Sequence, residues 1–280
     1  MGIKIIVDSA SDISLEDAKK LGIEMLSIAV TFEDKEYYDG IDLLPNDFYE
    51  KLVRSKKLPK TSQITPFRFE DKIEKLINQG DEVIVITLSS KLSNTYTNAM
   101  MACEKFKGKA FAIDSLSVAA GERLLCLYAL ELINKGLLIN EIVDRLNEVK
   151  NKITIIAALD TLTYLKKGGR ISATTAFAGE LLSIKPIVSV IDGEVKMIDK
   201  ARGTKKVHKL IDDLVNNNGG INQNYPCFFI YSGVDDSNLS KYLESSKISE
   251  LTKNYSICQI GSTIGNHIGP GAVGIIFIKN

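Results

Sequence analysis

The hydrophobic positions of the first half of the chain follow two alternating patterns. Residues 3–8 and 83–88 are short continuous apolar runs, as in strands buried on both faces. Residues 110–113 form a third such strand. Between them the spacing turns helical. Ser14-Leu15-Glu16-Asp17 with Gly22 predicts a short capped helix. Residues 25–31 and 35–38 flank Glu33-Asp34 and predict a hairpin insertion near 25–40. Helices are predicted over 45–55, carrying Phe48, Leu52 and Val53, and over 95–106, 117–135 and 140–149. This succession predicts a three-layer α/β/α unit with a mostly parallel sheet. Ligands of such sheets bind beyond the carboxyl ends of the strands. Three of those ends carry small polar residues: Asp8-Ser9, Ser89-Ser90 and Asp114-Ser115.

The second half has a different rhythm. Residues 153–159 are an apolar strand, and 161–167 a short helix stopped by Gly168-Gly169. Residues 173–183 read as helical. Residues 187–191 and 195–198 flank Asp192-Gly193, a two-residue hairpin signal. Helices are expected over 204–215 and 238–251, and strands over 228–231, 256–260 and 273–278. A hairpin among helices predicts an α+β unit with a mixed sheet. The fold class is therefore α/β with two domains, residues 1–150 and 151–280, and a ligand crevice between them.

Composition narrows the function. The 280 residues carry 35 basic and 35 acidic side chains, so no global basic field exists to attract nucleic acid, and membrane contact is at most transient. No apolar run approaches the ~18 residues of a membrane span. Four scattered cysteines without a CxxC pair fit a reducing cytoplasm, and two histidines do not make a zinc site. Gly269-Pro270-Gly271-Ala272-Val273-Gly274 matches GxGxxG, but a β-like run follows it where a helix is needed. The chain lacks the P-loop, GxSxG and HExxH motifs.

The polar residues that remain fall in four stretches: Thr61-Ser62-Gln63, Ser89 to Tyr96, Gly168-Gly169-Arg170-Ile171-Ser172, and Gly265 to Gly271. The second follows a buried strand and opens a helix near Asn94. A helix N-terminus offers unpaired N–H groups to an anion, although Ser93 or Asn94 as a plain cap explains the same residues. Thr65-Pro66 has the form of a helix start. His267, among glycines, reads as a loop histidine facing a ligand. Asp8 and Asp12 are candidate metal ligands, and Asp12 reads equally as part of a turn before the Ser14 helix cap. Two basic clusters, Lys166/Lys167/Arg170 and Lys196/Lys200/Arg202/Lys205/Lys206/Lys209, are either a solvated face or a dock for an acidic partner.

At these residues the chain resembles the DegV family, the bacterial fatty-acid-binding FakB proteins. Ile5-Ile6-Val7-Asp8-Ser9 with Asp12 is similar to the family's opening, Thr61-Ser62-Gln63 to its TSQ loop, and Leu92-Ser93-Asn94-Thr95-Tyr96 to its LSGTY motif. Leu159-Asp160-Thr161-Leu162, Gly168-Gly169-Arg170-Ile171-Ser172, Lys185-Pro186-Ile187, Arg202-Gly203-Thr204-Lys205-Lys206 and His267-Ile268-Gly269-Pro270-Gly271-Ala272 complete the match. Asn94 stands for the usual glycine and Ile64 for a frequent proline.

The resemblance implies a lipid carrier without a cofactor, not an enzyme. One long-chain fatty acid is held between the two domains and presented to a FakA-like fatty acid kinase, which makes an acyl-phosphate from ATP. An acyl-phosphate-using acyltransferase then feeds phospholipid synthesis. Carried over, the carboxylate ligands are Thr61, Ser93 and His267, helped by Ser62 and Asn94, and the kinase-docking residues are Arg170 and Arg202. A head group served by hydroxyls, N–H groups and one histidine, with no Arg or Lys beside it, is expected to release its ligand readily. The competing reading is a lipid hydrolase or acyltransferase with Ser93 as nucleophile and His267 as base.

Overall fold

The computed structural model describes residues 2–172 and 184–280; the helix expected over 173–183 lies outside the described residues. The chain is α/β, with a parallel four-stranded sheet and a separate mixed six-stranded sheet. Strands β1 (Ile3–Asp8), β2 (Glu24–Leu26), β6 (Glu82–Thr87) and β7 (Ala110–Asp114) form the parallel sheet in the order β2-β1-β6-β7. Val83 to Ile86 are wholly buried, as the apolar run requires of a central strand. The expected hairpin is β3 (Ala29–Phe32) with β4 (Lys35–Tyr38), turning at Glu33 with φ 52°. Met25 does not join it, because it lies in β2 beside Val7. A strand absent from the sequence reading, β5 (Lys60–Ser62), adds to β3 and makes a three-stranded antiparallel sheet, with Thr61 opposite Val30. Three residues with alternating exposure are too short to leave a periodic signal.

The six-stranded sheet runs β10-β9-β8-β13-β11-β12, built from β8 (Ile153–Ala158), β9 (Ile184–Ile191), β10 (Glu194–Arg202), β11 (Cys227–Tyr231), β12 (Tyr255–Gln259) and β13 (Val273–Ile278). Helix α5 (Ala120–Asn134) touches β1 and β6 of the first sheet and β8, β11 and β13 of the second. One hydrophobic core consequently runs through both, from Ile5 and Val85 to Ala157 and Ile276. α5 starts three residues later than the pattern suggests, because Leu116 and Ala119 take positive φ. The helix expected over 238–251 is two, Ser237–Ser245 and Lys247–Leu251, broken where the Ser246 hydroxyl caps the second.

The polar strand ends are stitches. The Asp8 carboxylate accepts the Ala10 and Leu88 N–H groups, each at 2.9 Å, and so ties β1 to the loop after β6. Asp114 accepts the N–H groups of Ser90 and Leu116. Ser89 reaches across the molecule and donates to the Gly193 carbonyl at the tip of the β9–β10 hairpin, 2.7 Å away. Backbone closure consumes these groups, and the site lies beside them.

Candidate functional site

Where the three sheets meet there is a cleft of about 380 Å³, within the range of small-ligand pockets. Ile28, Leu88, Val118, Leu165, Ile264 and Ile268 give it apolar walls. Thr61, Ser62, Ser93, Asn94 and His267 all line it, brought together from three distant parts of the chain. Each arrives on its own element. Thr61 and Ser62 sit on β5. Ser93 and Asn94 precede α4 (Thr95–Cys103), which follows the loop after β6. His267 ends a short helix, α11 (Ser262–Ile268); α6 to α10 are Ile139–Val149, Thr163–Lys167, Thr204–Asn217 and the two helices about Ser246.

His267 is on a helix and not in a loop, correcting the sequence reading. Gly265 and Gly269 suggested a loop, but the helix N-terminus is held from outside. Its Nε2 lies 3.1 Å from Thr61 Oγ1. Its Nδ1 is buried without a partner and faces Gly168. A Cβ on Gly168 would stand 2.5 Å from Nδ1, so only glycine lets the imidazole lie here. Burial, helped by the Arg170 charge, pushes the imidazole down to about 4. At neutral pH it is an uncharged ring that can share one proton with Thr61 or a ligand oxygen.

Ser93 Oγ accepts the Thr95 N–H at 3.2 Å and shares a hydrogen bond with Thr95 Oγ1 at 2.9 Å. It therefore holds the first turn of α4 while facing the cleft. Neither Asn94 nor Thr65 makes a side-chain cap bond at its helix start; Pro66 occupies the first helical position after Thr65, as expected. The Ser93–His267 pair of a hydrolase is not formed. Ser93 is bonded to Thr95, and His267 to Thr61.

The head of the cleft does hold cations, contrary to the expectation of none. Lys91 and Arg170 both line it. Arg170 is half-buried, and its guanidinium donates to the Leu92 carbonyl (3.2 Å) and to that of Gly168. Arg202 stands elsewhere, exposed at the end of β10. The two arginines named together from the sequence thus have different surroundings.

The sequence reading passed over two buried acids behind the cleft, Asp39 and Glu122. Asp39, just after β4, accepts from the backbone and hydroxyl groups of Ser262 and Thr263. Asp12 Oδ1 accepts the Gly261 N–H at 2.9 Å. Burial raises the Asp8 carboxyl to about 7 and lifts those of Asp12, Asp39 and Glu122 as well. Both Glu122 carboxylate oxygens are buried without a partner. Asp8 and Asp12 do not join a third ligand, since no metal-ligating group of three converges among the described residues. The opening motif signalled Asp8 and Asp12; Asp39 in Tyr38-Asp39-Gly40 looks like an ordinary turn.

An uncharged imidazole and hydroxyls at the head of an apolar cleft, set where a parallel, a mixed and a small antiparallel sheet meet, give this α/β protein a site with one polar end and apolar walls. The chain belongs to the DegV family: the family model "Uncharacterised protein, DegV family" matches residues 2–280. A DegV domain-containing protein of Caldanaerobacter subterraneus subsp. tengcongensis is 36% identical over 277 residues, covering 98% of each chain. Two solved structures cover both chains fully. One concerns fatty acid binding by a DegV family protein from Thermus thermophilus (26% identity, TM-score 0.92). The other is DegV, a fatty acid binding protein from Bacillus subtilis (28% identity, TM-score 0.87). Among the described residues no helix is long and apolar enough to cross a membrane.

Proposed function

We propose that this chain binds one long-chain fatty acid in the cleft, between an N-terminal unit of residues 1–150 and a C-terminal unit of residues 151–280. The carboxylate meets Thr61, Ser93 and His267, with Ser62 and Asn94 beside them. The observation that carries this reading is the 3.1 Å Thr61–His267 pair at the head of apolar walls. A buried carboxylate needs hydrogen-bond partners, and a neutral imidazole and two hydroxyls supply them. Arg170 adds positive charge at the same place, which favours the ionised ligand. The tail supplies the affinity: about 14 methylenes at ~0.8 kcal/mol each contribute roughly 11 kcal/mol before ordering costs. The fatty-acid-binding DegV relatives support the same ligand class.

The finer role we infer is a cytoplasmic carrier. It presents the carboxylate to a fatty acid kinase, which makes the acyl-phosphate that an acyltransferase consumes for phospholipid synthesis. The chain has no nucleotide loop of its own, so ATP comes with the kinase. Arg202 and Arg170 contribute the charge the kinase meets. The test is to purify the protein, denature it and analyse the released lipid by mass spectrometry, then add kinase and ATP and follow acyl-phosphate. One equivalent of a narrow set of fatty acids, consumed by the kinase, is expected. Absence of lipid after incubation with a range of fatty acids refutes binding. Bound lipid that the kinase leaves untouched refutes only the carrier role.

A further inference from the structure

The helix that carries His267 is too short to stand alone. Seven residues make fewer than two turns, and isolated helices of that length do not persist in water. Its N-cap is Gly261, which has no side chain to offer. The missing cap comes from 223 residues earlier in the chain. Asp39 Oδ1 accepts the Ser262 N–H (3.0 Å) and hydroxyl (2.6 Å), and Oδ2 accepts the Thr263 hydroxyl (2.6 Å) and N–H (3.4 Å). Asp12 takes the Gly261 N–H. A Cβ at Gly261 would lie 2.9 Å from Asp12 Oδ1 and 3.3 Å from Asp39 Oδ1, so the two carboxylates close on bare backbone.

The small three-stranded sheet links this cap to the cleft. Asp39 directly follows β4, β4 pairs with β3, and β3 pairs with β5, which carries Thr61. One piece of sheet therefore offers Thr61 to the imidazole at one end of α11 and grips the other end. At about 1.5 Å per residue, the capped Ser262 and His267 stand about 7.5 Å apart along the helix. Thr263, whose hydroxyl binds Asp39, itself lines the cleft.

We propose that Asp39 is a positioning residue: by capping α11 from the three-stranded sheet it sets His267 Nε2 against Thr61 Oγ1 and thereby shapes the head-group site. This rests on the reading of His267 as a head-group ligand, but its first test needs no ligand. The imidazole nitrogens of the ¹⁵N-labelled, ligand-free protein are followed by NMR across pH. In the wild type His267 is expected to titrate near 4, pushed down by burial and the Arg170 charge. In Asp39→Ala the loosened ring gains water, and its midpoint is expected to rise by about one unit or more. Ser262→Ala/Thr263→Val removes the hydroxyl donors from the opposite side. It is expected to reproduce the shift, and adding Asp39→Ala to it adds little further. Asp39→Asn, which keeps one acceptor oxygen, recovers part of the wild-type behaviour. Palmitate affinity is expected to fall about tenfold in Asp39→Ala, against little change for hexadecanol, which has the same tail and no carboxylate. If Asp39→Ala does not fold, the hydroxyl variant decides. An unmoved His267 titration in a folded variant overturns the proposal. A moved titration with unchanged palmitate affinity upholds the positioning and refutes the head-group reading.

Discussion

Gly168→Ala isolates the position of one ring. Gly168 has φ −75° and ψ −12°, an ordinary helical conformation, so alanine brings no backbone strain. Its methyl would stand 2.5 Å from His267 Nδ1 and 3.1 Å from the Tyr164 carbonyl oxygen. The carbonyl is fixed in helix α7, so the ring must yield. Ordinary contact begins near 3.4 Å, which asks the imidazole to move by about 0.9 Å, enough to disturb its 3.1 Å hydrogen bond with Thr61. Overpacking of this kind costs about 1–3 kcal/mol of stability. The lost hydrogen bond to a charged head group is worth about 1.5–3 kcal/mol, roughly tenfold to a hundredfold in affinity. Displacement of a fluorescent fatty acid measures the affinity, and thermal unfolding of the ligand-free protein measures the stability. A folded Gly168→Ala protein that binds as tightly as the wild type would refute the claim that the imidazole's present position serves the head group.

Further expectations concern other parts of the molecule. Thr61→Ala/Ser93→Ala is expected to lower fatty acid retention about tenfold or more in equilibrium dialysis; unchanged retention removes both from the site. Arg202→Glu, outside the cleft lining, is expected to leave fatty acid binding intact and to slow kinase turnover several-fold at low partner concentration; normal turnover there rejects docking through this residue. Glu122 is fully buried, and its carboxyl is raised above the ordinary 4.5. The folded state therefore binds its proton more tightly than the unfolded chain, and stability is lost as pH rises from 4.5 towards the raised value. Glu122→Gln is expected to stabilise the protein more at pH 8 than at pH 4 in urea unfolding; an equal effect at both pH values rejects that account.

The sequence spoke clearly where one residue type serves one local purpose. The apolar runs of β1 and β6 and the Asp192-Gly193 turn declared themselves through period and turn chemistry. The cleft residues Thr61, Ser93 and His267 were visible as small polar groups in loops and through the family resemblance. What stayed hidden depends on distant contacts. β5 is a strand only because β3 lies beside it. The stretch at Gly265 is helical only because Asp39 caps it from the other half. Arg170 read as a surface charge because nothing local says that its guanidinium turns inward to the Leu92 carbonyl. Glu122 sits on α5 among residues whose helical pattern gives no warning that this face is buried by a second sheet.

The place of α5 has a consequence for how the chain acquires its structure. This helix belongs by sequence to the first half, yet it packs on strands of both sheets. Severing the chain after residue 150 would leave the second sheet with an uncovered greasy face and the first with a helix whose outer side has lost its partner. The halves are thus expected to melt together in a single cooperative transition. Amide protons along α5 would be among the last to exchange, and a nascent first half leaving the ribosome would need shielding until β13, far along the second half, takes its place at the centre of the second sheet.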